Sequence, residues 1–144
     1  MIVLIQRVNW ARIRIEGEIH AEIGKGLLAL VGFEREDDEA GIGRMVDRLL
    51  SYRVFADAEG RMNLDLKTIS GELLLVSQFT LAASTNKGLR PGFSGAKAPA
   101  EAERLFAQMV KISTERHPAT QSGVFAANMQ VSLENDGPVS FILR

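Results

Sequence analysis

The stretch LLLVSQFTLAAS places a cluster of groups that could do chemistry directly after a short apolar run. Ser77, Gln78 and Thr80 flank a single aromatic residue, Phe79. A hydroxyl group can act as a nucleophile in ester cleavage, and main-chain N–H groups at such a strand end can stabilise an oxyanion. The cluster is therefore the first candidate for an active site, and Ser77 is its most obvious candidate nucleophile.

A serine nucleophile needs a base within hydrogen-bond reach, and that base usually needs an orienting group. The sequence offers only His20, in a predicted hairpin, and His117, at a predicted helix end, and it has no G-x-S-x-G elbow. A Ser–His–acid triad is therefore the least favoured interpretation. Two others stay open. Ser77 and Thr80 could hydrogen-bond neighbouring backbone, or the cluster could line a pocket whose main-chain N–H groups bind an oxyanion.

The stretch NDGPVSF, residues 135–141, is the second unusual feature. Asn-Asp-Gly is typical of a turn, so the simplest prediction is a hairpin turn, with Pro138 at the start of the next strand. The alternative concerns the Gly137–Pro138 bond, because X–Pro bonds adopt the cis form at modest cost. A cis bond here would point two carbonyl oxygens the same way, as acceptors for an ammonium group.

Composition narrows the possible functions. The 144 residues predict a single domain over 1–144, with 46% apolar and 24% charged residues, as in ordinary globular proteins. The absence of cysteine excludes disulfides, a thiolate nucleophile and Cys-ligated zinc, and two histidines argue against a His-rich metal site. The net charge of −1 means that any RNA contact needs a local basic patch. No apolar run reaches the length of a membrane span or a signal peptide, which predicts a cytoplasmic protein without a membrane partner.

Hydrophobic periodicity predicts a mixed α/β fold with largely antiparallel sheets and two main helices. The first helix carries apolar residues from Ile42 to Leu50 at helical spacing, and the second opens near Glu101 and ends before Pro118. Between the strand and the second helix, residues 82–99 form a long irregular loop. Strands are predicted at 2–8, 11–15, 19–23, 26–33, 53–56, 72–81, 121–126, 129–134 and 138–143.

Several motifs together resemble the bacterial type of D-aminoacyl-tRNA deacylase. They are SQFTL at 77–81, KGLRP at 87–91 and MQVSLENDGPV at 129–139, with IQRV at 5–8 and DAEGRMNL at 57–64. The resemblance runs over the whole chain. It implies an enzyme that hydrolyses the ester between a D-amino acid and the terminal adenosine of tRNA, and that in many members also removes glycine from alanine tRNA. It further implies a homodimer that binds the tRNA acceptor end, not DNA, and that needs no metal or organic cofactor.

The resemblance also implies roles for individual residues. The SQFT strand, with Ser77, Gln78, Phe79 and Thr80, would line the catalytic pocket, and catalysis would rely on main-chain groups and the 2′-hydroxyl of the tRNA. An older proposal for the family makes Thr80 the nucleophile. The Gly-Pro motif would be cis, would enter the pocket from the other subunit, and would capture the substrate amino group while excluding an L side chain. The expected substrate-binding residues are Gly137, Pro138, Ser140, Phe125, Ala127 and Met129.

Cations on or near the long loop are candidates for tRNA phosphates, namely Lys87, Arg90 and Lys97. For Lys87 and Arg90, a solvated surface loop is an equally good interpretation. Ser140, Asn128 and Ser84 depart from the usual residues of the family, a threonine, an acid and an aspartate. Two other functions remain as alternatives, namely a small-ester hydrolase that uses Ser77 or Thr80 and a dimeric RNA-binding module without enzymatic activity.

Overall fold

A single strand of 14 residues, β1, organises the main sheet of this computed structural model, which describes residues 1–86 and 88–144. Eight strands and two helices are present in those residues. Their bounds are β1 Ile2–Ile15, β2 Glu18–Ile23, β3 Gly26–Gly32, α1 Glu39–Ser51, β4 Phe55–Ala56, β5 Met62–Leu64, β6 Glu72–Ser77, α2 Pro99–Arg116, β7 Thr120–Ser122 and β8 Gln130–Leu143.

The main sheet has six strands in the order β2-β1-β3-β6-β7, and β8 also pairs with β1. The β1 pairings with β2, β3 and β8 are antiparallel, whereas β3–β6 and β6–β7 are parallel. Strands β4 and β5 form a separate two-stranded sheet. The predicted mixed α/β class with two main helices is confirmed. The carboxyl ends of the parallel strands β3 and β6 lie side by side at one end of the sheet, and the candidate site is at this end.

Both helices cover one face of the sheet, as their periodicity predicts. Helix α1 buries an apolar stripe made of Ile42, Met45, Val46, Leu49 and Leu50. Its N-cap is Asp38, whose carboxylate accepts a hydrogen bond of 3.0 Å from the Gly41 N–H. A smaller apolar cluster lies on the other face, between the second half of β1, β2 and the buried residues Leu28, Leu74 and Val76.

The strand predicted over 72–81 is shorter than expected. β6 ends at Ser77, and a single 3-10 turn follows over Phe79–Ala82. The parallel ladder with β3 stops at the Val31–Ser77 pair, so the chain beyond it has no strand to pair with. The Gln78 N–H still reaches the Val31 carbonyl at 2.7 Å, and the chain then turns.

The predicted hairpin turn at Asn135-Asp136-Gly137 is wrong. β8 runs without a break from Gln130 to Leu143 and includes Pro138. Its pairing with β1 is interrupted instead by a bulge, because Gln6 pairs with Ser140 and Val8 with Asn135. Four residues of β8 therefore lie opposite a single residue of β1, Arg7. This bulge allows a Gly-Pro sequence inside a strand that is paired on one side only.

Candidate active site

Strand β6 is buried along most of its length, and the SQFT sequence begins where this strand ends. Leu73, Leu74 and Leu75 are fully buried, and Ser77 and Gln78 emerge half-buried at the end of the strand. Gly32 permits the tight turn that follows, since a Cβ there would lie 2.9 Å from both the Gln78 carbonyl oxygen and the Leu81 Cβ. A larger residue at position 32 would push this turn away from the sheet.

The turn presents main-chain donors next to a short side-chain contact. The Gln78 Nε2 donates to the Thr80 Oγ1 at 2.5 Å, and Phe79 and Thr80 are exposed. The N–H groups of Phe79 and Thr80 begin the 3-10 turn, where an N–H has no partner in the preceding turn. Neither donates to another main-chain oxygen among residues 1–86 and 88–144. Two such donors can stabilise negative charge on an ester oxygen.

Neither histidine makes a hydrogen bond with Ser77 in the described part of the chain. The His117 Nε2 lies 2.8 Å from the Gly71 carbonyl oxygen, just before the opposite end of β6. Ser77 lies six residue steps along the strand from Gly71, which corresponds to roughly 20 Å. His20 is exposed on β2, a strand that packs against β6 without pairing with it. A Ser–His–acid triad is therefore not assembled within one chain, and it stays the least favoured interpretation.

The segment after β7 continues alongside the end of β6. The Gly123 N–H donates to the Leu75 carbonyl at 2.8 Å, and the β6–β7 register, if continued, places residue 124 opposite Ser77. The half-buried Phe125 packs its ring 6.4 Å from that of Phe106 in α2. The next residues turn back, with the Ala127 N–H bonded to the Val124 carbonyl at 3.3 Å.

Met129 closes this segment against the second apolar cluster. Its sulfur lies so near Gly123 that a Cβ on the glycine would be only 2.6 Å away. Phe125 and Met129 thus follow the end of β7 but pack on opposite faces of the sheet, Phe125 against α2 and Met129 in the second apolar cluster.

Arg7 holds the bulge that contains Gly137 and Pro138. Its Nε donates to the Asp136 carbonyl at 2.9 Å and lies 3.2 Å from the Asp136 Oδ2, and its Nη1 donates to the Val54 carbonyl at 2.6 Å. The Gly137–Pro138 bond is cis, and both residues are exposed. Gly137 has a φ of +130°, which disfavours any L side chain, and a Cβ there would lie 2.9 Å from the Val139 Cγ2. Sequence reasoning missed Arg7, although it stands in the IQRV motif.

The two motifs do not meet within one chain. Ser77 pairs with Val31 and Val31 with Val3, whereas Gly137 lies opposite Arg7. Ser77 and Gly137 are therefore offset by four residues along β1 and by three strand spacings across the sheet, a separation of roughly 20 Å. Ser140 lies beyond the bulge, and its Oγ accepts a hydrogen bond of 3.4 Å from the Gln6 Nε2. The hydroxyl at this position therefore keeps a partner.

The three candidate phosphate ligands differ in their surroundings. Lys87 lies outside the described residues. Arg90 is exposed on the long loop. Lys97 is half-buried, and its Nζ donates to the Arg35 carbonyl at 2.6 Å. The surface cavity that it lines, of about 340 Å³, also contains Asp37, Asp38, Glu39 and Glu101, so acids outnumber bases there.

A second surface cavity, of about 350 Å³, is lined by Arg44, Arg48 and Arg144. Arg44 and Arg48 are four residues apart on α1, a spacing that the sequence displays, but Arg144 reaches them only through the pairing of β8 with β1. Sequence reasoning missed this cluster because it searched the long loop for cations.

Among residues 1–86 and 88–144, no group of three His, Asp or Glu side chains is arranged to hold a metal ion. Within the same residues, neither helix combines the length and apolar character that crossing a membrane requires.

Comparison with known proteins identifies relatives over the whole chain. The family model described as D-Tyr-tRNA(Tyr) deacylase matches residues 4–144. A protein of Azotobacter vinelandii named D-aminoacyl-tRNA deacylase is 58% identical over 144 residues, covering 100% of this chain and 99% of the relative. A solved structure titled c-Myc DNA Unwinding Element Binding Protein is 33% identical, with a TM-score of 0.95 and coverage of 100% and 98%. A second, titled as a probable eukaryotic D-amino acid tRNA deacylase, shares the fold at a TM-score of 0.86 and 15% identity, with coverage of 99% and 97%.

Proposed function

The chain belongs to the D-Tyr-tRNA(Tyr) deacylase family, and from this premise we propose that it hydrolyses the ester bond of D-aminoacyl-tRNA and releases the free D-amino acid and tRNA. The observation that carries the proposal is the full-length similarity to ester hydrolases of this kind. The unpartnered main-chain donors at the end of β6 support the SQFT residues as the site of that chemistry. We expect the enzyme in the cytoplasm, where its tRNA substrate is used.

Ester hydrolysis here requires positioning more than a strong nucleophile. A water molecule attacks the ester carbonyl carbon, and the bond to the 3′-oxygen of the terminal adenosine breaks as that oxygen takes up a proton. The N–H groups of Phe79 and Thr80 stabilise the oxyanion that forms in between. The contact between Gln78 and Thr80 holds the turn in shape, and the 2′-hydroxyl of the tRNA assists the proton transfer. An aminoacyl ester is already activated, so orientation and an oxyanion site suffice.

Selection for D-amino acids would come from Gly137 and Pro138 of the second subunit. A methylene-sized difference in an apolar pocket gives only about 1–3 kcal/mol, so rejecting an L side chain calls for a rigid obstacle. The contacts of Arg7 with Asp136 and Val54 support such rigidity. Glycine has no side chain to exclude, and the same site would therefore also accept glycine mischarged on alanine tRNA.

A homodimer is supported by the surface of β8. This strand of 14 residues pairs with β1 on one side, and no other described strand pairs with it. Phe141 and Ile142 on β8 are 38% and 60% exposed. A long edge strand with exposed apolar side chains is a natural surface for a second copy. The separation of the two motifs within one chain points the same way, since a partner could bring them together.

Separate incubation with D-Tyr-tRNA and L-Tyr-tRNA tests the proposed activity. We expect release of D-tyrosine at a rate at least 100-fold above that of L-tyrosine, because a fully excluded side chain costs more than about 3 kcal/mol. The measurement is the loss of acid-precipitable labelled amino acid over time. Equal hydrolysis of both esters, or of neither, would contradict the proposal.

A nucleic-acid-binding module without hydrolysis is the second candidate, because the relative at 33% identity is titled a DNA-binding protein. This alternative predicts tRNA or DNA binding with no ester cleavage and no effect of Pro138→Ala on affinity. Hydrolysis of D-Tyr-tRNA rules it out as the main function.

A further inference from the structure

The cavity lined by Arg44, Arg48 and Arg144, called here the arginine cavity, brings three guanidinium groups around one surface depression. Its remaining walls are Met1, Asp37, Gly41 and Met45. Each guanidinium carries five N–H donors in a fixed fork that matches the oxygens of a phosphate group. The chemistry of the lining therefore favours an anion with several oxygen acceptors.

The single carboxylate of the cavity is already engaged. The Asp37 Oδ1 accepts a hydrogen bond of 2.6 Å from the Met1 ammonium group, and the Asp37 Oδ2 accepts one of 2.6 Å from the Glu34 N–H. Glu34 itself binds the Met1 ammonium at 2.9 Å and lies 3.9 Å from the Arg144 Nη1. The one ammonium group offsets one of these two carboxylates, and three guanidinium groups against the remaining carboxylate leave the cavity with a net positive charge.

The guanidinium groups keep most of their donors available. Arg44 is exposed, and its side chain makes no hydrogen bond or ion pair with any of the described residues. Arg48 uses one nitrogen, which donates to the Arg144 main-chain oxygen, and its guanidinium lies 6.0 Å from the Tyr52 ring centre. The Arg144 side chain is 68% exposed. These contacts orient the guanidinium groups of Arg48 and Arg144 and leave most of their N–H donors available.

The arginine cavity lies at the same end of the sheet as the SQFT turn, residues 77–80. Ile2, next to the lining residue Met1, pairs with Gly32 in β3, and the neighbouring Val31 pairs with Ser77. Two strand spacings and the depth of the helix layer separate the cavity from Ser77, a distance of roughly 15 Å. A polynucleotide whose 3′ end reaches Ser77 can therefore have a phosphate at this cavity.

We propose that the arginine cavity holds a backbone phosphate of the acceptor end of tRNA and so positions the 3′ ester at the SQFT turn. The inference rests on the proposed deacylase function and adds a contact site to it. It also changes the expected RNA path. The acidic cavity around Lys97 repels a phosphate, whereas the α1 surface with Arg44 and Arg48 attracts one.

The test is equilibrium binding of uncharged tRNA to the full chain over a range of salt concentrations. In Arg44→Gln/Arg48→Gln, the affinity at low salt should fall about tenfold, and the slope of log K against log salt should decrease by about 2. Lys25→Gln/Lys111→Gln is the matched control, because it removes the same charge from two exposed side chains outside the cavity. It should change the affinity by less than about threefold. The single variant Arg44→Gln, in which no side-chain hydrogen bond or ion pair of the described residues is removed, should show about half of this change in slope.

Two results would overturn the proposal. One is an unchanged salt slope in the double variant, with a circular dichroism spectrum that shows it to be folded. The other is an equal loss of affinity in the lysine control, which would mean that total charge alone matters. Because uncharged tRNA is not hydrolysed, failure of the deacylase activity leaves this binding measurement interpretable and is detected separately with D-Tyr-tRNA.

Discussion

At the scale of single residues, the main question is whether the SQFT turn acts through side chains or through its backbone. Substitutions of Phe79 can separate the contribution of its side chain from that of its main-chain N–H group. Phe79 is the first residue of the 3-10 turn, a position that accepts proline. The preceding Gln78 has φ −140° and ψ 79°, so its ψ must rise to precede a proline, and circular dichroism of the variant checks that the fold is kept. Phe79→Pro removes both the N–H and the ring, whereas Phe79→Ala removes the ring alone.

We expect Phe79→Pro to lower kcat for D-Tyr-tRNA about 100-fold or more, the usual cost of losing one oxyanion donor. Phe79→Ala and Thr80→Ala should retain most of kcat, since their N–H groups remain. Single-turnover hydrolysis measures the difference. Full activity in Phe79→Pro would exclude its N–H from catalysis. Loss of activity in Thr80→Ala would instead favour the hydroxyl nucleophile.

The sequence predicts where reactive groups lie better than it predicts what they contact. Ser77 and its neighbours stand out because polar residues follow a buried run. The role of Arg7 does not stand out, because its partners Asp136 and Val54 are distant in sequence and are brought to it by strand pairing. Long-range partners of this kind are not encoded in local spacing.

At the scale of elements, the two helices begin differently. Asp38 caps α1 through its carboxylate, whereas Ala98 precedes α2 without any side-chain cap. The sequence Ala98-Pro99-Ala100-Glu101 lacks only a hydroxyl residue to complete a capping box.

Ala98→Ser should therefore stabilise the protein by about 1 kcal/mol, which raises Tm by about 4 °C for a chain of this size. Asp38→Ala, which removes the existing cap of α1, should lower the stability by a similar amount. Both changes are measured by thermal unfolding followed by circular dichroism. If Ala98→Ser leaves Tm unchanged while Asp38→Ala lowers it, the backbone at position 98 does not let a side chain reach the Glu101 N–H.

Elements with strong local signals were predictable, and those defined by distant partners were not. The apolar spacing from Ile42 to Leu50 correctly predicts α1, and the family resemblance is confirmed by the match over residues 4–144. β8 was predicted as two strands with a turn because Asn-Asp-Gly is a strong local turn signal. Its continuity comes from β1, which pairs with it from Val3 to Arg14 on both sides of the bulge.

At the scale of the whole molecule, the SQFT turn and the Gly137 bulge lie roughly 20 Å apart in one chain by strand register. A symmetric dimer can join the SQFT turn of one subunit to the bulge of the other and so create two equivalent sites. Gly137→Ala disrupts the bulge, because the added Cβ would crowd Val139 and Arg7. Gly60→Ala is the matched control, since Gly60 also has a positive φ, +79°, but has nothing within 4 Å of the added Cβ.

Mixed dimers of Phe79→Pro and Gly137→Ala then test whether the site is shared. Each variant alone should be about 100-fold less active or worse towards D-Tyr-tRNA, whereas Gly60→Ala should keep its activity. In a heterodimer purified through two different tags, one site would carry both lesions and the other would combine an intact turn with an intact bulge. We expect about half the activity of the wild-type dimer, because symmetry gives each dimer two sites. A heterodimer as inactive as its parents would mean that the turn and the bulge act within the same chain.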